Sequence, residues 1–578
     1  MYAQRSPLSR KWSDGTSGDE DMQEKGANSP TSKSPPLPWL SLVSPRQQQW
    51  RFRFCTALVF LGLLIVWNMD ASTVSSIIES SSSFKQQLYL TMNPGGRRGG
   101  GAKWATVELE PNFTSAILSR LQAPGGNNKP TAEIMIPGLD NDKGVVELTA
   151  GDAHVLVFQA VDEFGNPRYS GGDYFESDLS GESWKSRPPV KDLGNGIYSI
   201  TLQVHPDFTG DYLLTLILLY RHFDGLKFLP TRSAVVQTLR SLRIKFVTTS
   251  NAAELPQLKT CSESDFTRDL SVGRWTRHGK NDSCRISDDG RYLCLPPDFP
   301  CRNPWCNGSL GTLESNGWVY STHCSFQLFQ RNSAWNCLKN RWIFFSGDSN
   351  HVDTIRNLLN FVLNLTDVKS VPRRFDSNFT NPEDASQTVR ITSIFNGHWN
   401  ETDNHLGLDS LRNQGFRDLL KGYFGGETVP DTLILNSGLH DGSHWRNVRG
   451  FVGAAQDAAD FWKEVLESVS RRGLARPRVV YRTTVATAGG ARVLQYNPNK
   501  MEVFNWVVLD KFRSAGVIDG VVDDFDMTFP WHYDNRCSDG IHYGRPPAKE
   551  RWKDGLIGHQ YFVDVMLCHV LLNLLCAR

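Results

Sequence analysis

Gly347-Asp348-Ser349 and Asp539-Gly540-Ile541-His542 hold, in two short runs, the three side chains that acyl transfer by a serine requires. A serine hydroxyl is a weak nucleophile at neutral pH. It needs an imidazole to take its proton, and the imidazole needs a carboxylate to fix its tautomer and steady its charge. Ser349, His542 and Asp539 are the candidates for nucleophile, base and orienting acid. The elements around them must then bring the two runs together. Trp342-Ile343-Phe344-Phe345 predicts a short buried strand, and Val352, Ile355, Leu358, Leu359, Val362 and Leu363 follow helical spacing. Ser349 therefore falls at a strand-to-helix turn. There its hydroxyl projects from the end of a sheet, and unpaired N–H groups at the helix start can stabilise an oxyanion. Gly347 allows a tight approach. The Asp-x-x-His run lies in a polar, turn-like stretch ahead of an apolar, helix-predicting segment, 557–575.

The order of the motifs, serine first and Asp-x-x-His near the C-terminus, resembles the SGNH-like acyl esterases and transferases. Within them it resembles the PC-esterase group, which includes the trichome-birefringence-like and NXPE-type proteins. The resemblance covers 261–578 and includes a middle segment, Leu435-Asn436-Ser437-Gly438-Leu439-His440, after a predicted strand Thr432-Leu433-Ile434-Leu435. It implies a three-layer α/β domain, and it implies the roles already suggested for Ser349, His542 and Asp539. It further implies Asn436 as an oxyanion donor through its side-chain amide, and it places Gly397, in Phe395-Asn396-Gly397-His398-Trp399, where a second donor can sit; a plain loop glycine is the alternative reading of Gly397. One departure stands out. Trichome-birefringence-like sequences carry an arginine three residues after the serine, whereas this chain has Val352 there.

Upstream, 144–246 shows alternating segments such as Val155-Leu156-Val157-Phe158-Gln159-Ala160 and Tyr198-Ser199-Ile200-Thr201-Leu202, separated by turn clusters. That spacing predicts a β-sandwich. Ala150-Gly151-Asp152, Asp162-Glu163-Phe164-Gly165-Asn166, Gly171-Gly172-Asp173, Asn195-Gly196-Ile197-Tyr198 and Gly210-Asp211-Tyr212 resemble a filamin-type immunoglobulin-like repeat. Such a module serves either as a rigid spacer or as a surface for a glycan or partner, and the spacer is the simpler reading. Its pairing with a PC-esterase domain is similar to the architecture of NXPE-type proteins.

With 578 residues, the chain exceeds one core. A net charge of +1 with dispersed Lys and Arg gives no basis for nucleic-acid binding. Residues 1–53 are rich in Ser, Pro and charge and predict a disordered cytosolic tail. An uncharged stretch begins at Phe54 and extends to Met69, shorter than the ~20 residues of an average spanning helix. A signal peptide competes, but it would need a leader of about 50 residues, far beyond the usual form. Arg46, Arg51 and Arg53 before the stretch and Asp70 after it orient it as a single-pass type II signal anchor. Thin early secretory membranes suit so short a span. Residues 70–143 are then the stem, with a flexible Ser- and Gly-rich part at 79–101.

Asn-x-Ser/Thr sequons occur at Asn112, Asn281, Asn307, Asn364, Asn378 and Asn400, all after the anchor. Of the eleven cysteines, Cys55 lies in the anchor and ten lie beyond Thr260. An even luminal set predicts disulfides. A zinc site is disfavoured because two clean Cys-x-x-Cys knuckles are lacking, so no metal is expected. Seven cysteines precede the serine strand and three lie near the base. If all pair, at least one bridge crosses between the regions, and Cys537, beside Asp539, is the expected participant.

The expected architecture is therefore multidomain: a signal-anchor helix (54–69), an all-β immunoglobulin-like sandwich (144–247), a cysteine-rich segment (261–340), and an α/β SGNH-like domain (341–578). Trp399, Trp445, Trp531 and Tyr533 fall near the motifs, as sugar platforms or as packing residues. The resemblance implies a Golgi membrane O-acetyltransferase acting on a glycan or polysaccharide, with no bound cofactor and an acetyl donor as co-substrate. A carbohydrate acetyl esterase is the nearest rival, since a triad serves either acceptor. A luminal binding or adhesion protein whose esterase fold has lost activity is the third reading.

Overall fold

The computed structural model describes residues 103–122, 129–139, 144–227, 233–250, 254–288, 290–365, 368, 371–397, 405–533, 538–545 and 560–577. The anchor at 54–69, the tail, the stem up to 102, Asn400, Trp399 and Cys537 lie outside them. Among the described residues, no helix is long and apolar enough to cross a membrane.

The upstream module is a two-sheet sandwich. His154–Val161 and Ile197–Leu202 alternate inward and outward side chains and pair antiparallel in a four-stranded sheet, as strands do when one face is buried. Phe158, Phe175 and Tyr198 meet ring to ring between the sheets at 4.7–5.5 Å. The sandwich begins before residue 144, because Glu133–Met135 pairs with His154–Val161. A strand of three residues is too short to show a period, so the stem assignment ran past it.

The second sheet has seven strands, and two of them belong to the cysteine-rich segment. Arg274–Arg277 pairs antiparallel with Trp184–Ser186 of the sandwich and with Trp318–Ser321 on its other edge. The cysteine-rich segment thus extends the second sheet of the sandwich and covers an edge that would otherwise stand open.

Downstream lies a six-stranded sheet made of β1 (Arg341–Gly347), β2 (Arg374–Asn381), β3 (Asp384–Phe395), β4 (Thr432–Leu435), β5 (Arg478–Arg482) and β6 (Gly520–Val522), in the order β2-β3-β1-β4-β5-β6. All neighbours are parallel except the β2–β3 hairpin at the edge. Ile343, Phe344, Phe345, Leu433 and Ile434 are buried, the continuous apolar run that a central parallel strand requires. The chain reverses direction across the sheet between β1 and β4, and crevices at the C-terminal ends of such strands are where open α/β sheets place ligands. Helices α1 (Ser349–Asn357), α2 (Gln414–Phe424), α3 (Val448–Arg471), α4 (Pro498–Ser514) and α5 (Tyr561–Cys576) complete the domain. α3 and α4 pack together through stacked Phe451 and Phe504, and α5 packs against α1. Only Cys576 of α5 escapes full burial.

Among the described residues four disulfides form: Cys261–Cys324, Cys284–Cys294, Cys301–Cys306 and Cys337–Cys576. One does cross to the C-terminal region, through Cys576; the expected participant, Cys537, lies outside the described residues. Cys568 is buried without a bridge, so the expectation that all ten pair is corrected. Its thiol sits in an apolar helix core where burial pushes its pKa well up, which leaves it inert. Cys337–Cys576 closes a span of 239 residues. Replacing both cysteines by serine is expected to lower unfolding free energy by about 2–4 kcal/mol, read as a fall in the urea midpoint with a steeper slope, because the unfolded chain is no longer tied across that span.

Candidate active site

β1 ends at Gly347 and α1 begins at Ser349, with Asp348 between them as N-cap, its Oδ1 accepting from the Asn350 N–H at 2.9 Å. A Cβ on Gly347 would stand 2.2 Å from Nδ1 of buried His351. Only glycine lets the ring pack there, which supplies the physical reason for the tight approach. Ser349 carries one of the first N–H groups of the helix, which have no acceptor within it.

The Asp-x-x-His run folds as a tight turn over this serine. Asp539 Oδ1 accepts from the N–H groups of Ile541 at 2.9 Å and His542 at 2.8 Å, while Oδ2 faces His542 Nδ1 at 2.9 Å. His542 Nε2 then lies 2.6 Å from Ser349 Oγ, across 193 residues of sequence. With the carboxylate holding a proton on Nδ1, Nε2 offers its lone pair to the hydroxyl. His542 is buried and Ser349 half-buried.

Burial pushes the Asp539 carboxyl up, but the hydrogen bond and charge of His542 and the two backbone N–H groups outweigh it and bring its pKa to about 2. The carboxylate is therefore ionised throughout the usable pH range. The acid limb of kcat/KM is expected to carry no ionisation of Asp539. A slope approaching two between pH 4 and 7, measured on an acetyl ester, would contradict this.

Gly397 and Asn436 reach the same edge of the sheet. Phe395 is the register partner of Gly347 and Leu435 that of Ser346, so the residues following β3, β1 and β4 emerge side by side. Asn396 knits them: its N–H donates to Gly347 O at 2.9 Å, and its Nδ2 donates to Asn436 O and to Ser437 Oγ, each at 3.1 Å. The Asn436 N–H donates to Ser346 O, and one of its side-chain N–H bonds goes to Arg482 O at 3.1 Å. That anchor leaves the second N–H of the amide. Ser437 Oγ donates to buried Asp441, which also accepts from Trp445 Nε1 at 2.9 Å.

The sequence reading missed a tie between the two motifs. Asp353, one helical turn past Ser349, takes a bidentate ion pair from Arg545, three residues past His542, at 2.7 and 3.1 Å. A guanidinium thus does reach α1, from the opposite loop rather than from the position of Val352. Burial raises the Asp353 pKa and the charge of Arg545 lowers it, with a net shift downward. Arg545→Ala is expected to cut kcat by about 10- to 100-fold through loss of alignment. Combined with Asp353→Asn it should cost little more, because the two act as one unit.

The aromatic candidates are packing residues. Trp445 is buried on Asp441; the Trp531 ring sits 5.4 and 5.1 Å from Trp275 and Phe562; Tyr533 lies 4.0 Å from His532. The ring of Trp445 is buried, while Trp531 and Tyr533 pack on these neighbours and stay half-buried. Among the described residues, the ligand-like cluster Asp265, His323, Cys324 has its sulfur committed to the disulfide with Cys261, so it does not fit a metal. The five described sequon asparagines, Asn112, Asn281, Asn307, Asn364 and Asn378, are exposed.

No family model matches the chain, and no curated protein matches it. Among solved structures it is similar to domains 4 and 5 of the S-layer protein SbsC, at 15% identity and TM-score 0.14, with 21% of this chain and 48% of that one covered. The chain thus spans about half the length of that two-domain structure. The Lin-41 filamin domain matches at 14% identity and TM-score 0.14, with 20% of this chain and 97% of that one covered. The acetylxylan esterase Axe2 of Geobacillus stearothermophilus matches at 10% identity and TM-score 0.24, with 41% and 94% covered. At TM-scores this low, the likenesses add nothing to the geometry.

Proposed function

We propose that this protein is a serine acyl-transfer enzyme that moves an acetyl group onto a glycan hydroxyl through an acetyl-serine at Ser349. The observation that carries the reading is the continuous relay from Ser349 Oγ through His542 to Asp539, at 2.6 and 2.9 Å. In the first half, the Ser349 proton passes to His542 Nε2 as Oγ bonds to the carbonyl carbon of the donor. The resulting oxyanion is met by the Ser349 N–H, with the free amide N–H of Asn436 and the Gly397 backbone as further donors. Collapse expels the donor's leaving group, which takes the proton from His542. In the second half, a sugar hydroxyl gives its proton to Nε2, attacks the acetyl-serine, and returns the serine to its resting form. Water in place of the sugar makes the same site an acetyl esterase.

The site is assigned to the Golgi lumen, behind a single-pass anchor at 54–69. Support comes from the placement of every sequon after that segment and from disulfides, which form in oxidising compartments.

The test uses the purified chain, a labelled acetyl donor, a panel of glycans, and Ser349→Ala alongside. Label on a glycan that disappears in the variant establishes the transferase. Acetate release without glycan labelling establishes the esterase. Neither activity, with donor and glycans spanning the acetylated classes, overturns the reading in favour of a binding role.

A further inference from the structure

Resting on that reading, we infer that the immunoglobulin-like sandwich is a working part of the active site, and that Glu176 positions the Asp-x-x-His loop from across the domain boundary. The Glu176 carboxylate emerges from the sandwich strand Tyr174–Gly181. Its side chain is fully buried against the α/β domain, as is that of His532, and Oε1 meets His532 Nε2 at 3.0 Å across 356 residues of sequence. The other oxygen lies 3.6 Å from Arg492 Nε. A spacer needs no such contact. A carboxyl group and an imidazole withdrawn completely from water are costly unless each satisfies the other's hydrogen bond, so the arrangement persists only with the two domains docked.

His532 is placed to transmit this hold. Its carbonyl accepts from the Gly489 N–H at 2.6 Å, and the adjacent Ala488 N–H donates to Ile541 O at 3.3 Å. The segment after β5 is thereby gripped by His532 on one side and by the residue beside His542 on the other. The Arg545–Asp353 pair pins the downstream end of the loop, and Glu176–His532 fixes its upstream approach. A second buried pair, Arg187 Nη2 to Glu502 Oε1 at 2.6 Å, with Tyr174 OH donating to Glu502 Oε2 at 3.0 Å, holds the same sandwich face to α4. That pair keeps the domains together when Glu176 is changed, so the contribution of Glu176 to the loop can be isolated.

The experiment compares the full chain with Glu176→Ala and Glu176→Gln. It follows amide hydrogen exchange of 538–545 together with kcat and KM for p-nitrophenyl acetate. Glu176→Ala is expected to speed exchange in that loop by about tenfold or more, a loosening of the kind local opening produces. It should lower kcat by about 10- to 100-fold with KM within about twofold. Glu176→Gln, which keeps an acceptor for Nε2, should recover most of both. Loop exchange and kcat in Glu176→Ala indistinguishable from wild type would overturn the coupling. A purely architectural role would lower thermal stability and leave kcat per folded molecule unchanged, and that result overturns it too. If the wild-type chain shows no turnover while the variant still loosens the loop, the positioning stands and the acyl-transfer reading falls.

Discussion

Ser349→Ala is expected to lower kcat/KM for acetyl transfer by about 10⁴-fold or more, with KM for the glycan nearly unchanged. The hydroxyl is half-buried at the first position of α1, and its removal takes one hydrogen-bond partner from His542 Nε2 and no apolar packing from the core. The fold should therefore be indifferent to the change, with melting within a degree or two of wild type. The residual rate comes from the donors around the oxyanion and from substrate binding, which the variant retains. Initial rates with labelled donor, and loss of covalent labelling by a serine-directed fluorophosphonate, provide the check. A variant that keeps more than a tenth of wild-type activity would remove Ser349 from the nucleophile role.

Asp539→Asn should be nearly as damaging, at about 10³- to 10⁴-fold in kcat. The carboxylate does two jobs. Oδ1 shapes the turn by accepting from the N–H groups of Ile541 and His542, and Oδ2 holds the proton on His542 Nδ1. An amide can keep the turn through its carbonyl, but its NH₂ then faces Nδ1 and favours the tautomer with the proton on Nε2. That imidazole can no longer take the proton from Ser349. The expected signature is a large fall in kcat that is partly restored at high pH, where the serine hydroxyl ionises without help. A loss below tenfold would mean that the carboxylate only shapes the turn.

The part of this site that could be read from sequence is the part built from local pattern. Trp342-Ile343-Phe344-Phe345 sits inside β1, the helical spacing after Ser349 falls in α1 and the turn that follows it, and Thr432–Leu435 is β4. Each is a short apolar run flanked by turn residues, so burial and period coincide. What escaped reading lies in pairs far apart in the chain. Asp353 and Arg545 are separated by 192 residues and Glu176 and His532 by 356, and nothing in either local sequence announces its partner. The β2 strand was missed because Arg374–Asn381 is polar and lies at the sheet edge, mostly exposed. The extension of the sandwich sheet by Arg274–Arg277 has the same origin, since strand pairing across a domain boundary leaves no periodic trace. Trp445 shows the packing alternative realised: its indole is drawn inward by the hydrogen bond it donates to buried Asp441.

These contacts change the meaning of the upstream β-sandwich. A spacer predicts that the α/β domain works alone, whereas a buried Glu176–His532 hydrogen bond and a buried Arg187–Glu502 ion pair on the face joining Tyr174–Gly181 to His532 and α4 predict that it does not. Truncation before residue 254 is expected to leave an aggregation-prone, inactive fragment, because the cut exposes Arg274–Arg277 as an open edge.

The central claim is that Ser349 carries the acetyl group. Brief incubation of the wild-type chain with an isotopically labelled acetyl donor, quenching in acid and peptide mass analysis should find one labelled acetyl group on the peptide containing Ser349. It should be absent from Ser349→Ala and lost on addition of the acceptor glycan. Donor turnover with no adduct on Ser349, or an equal adduct in the alanine variant, would contradict the account.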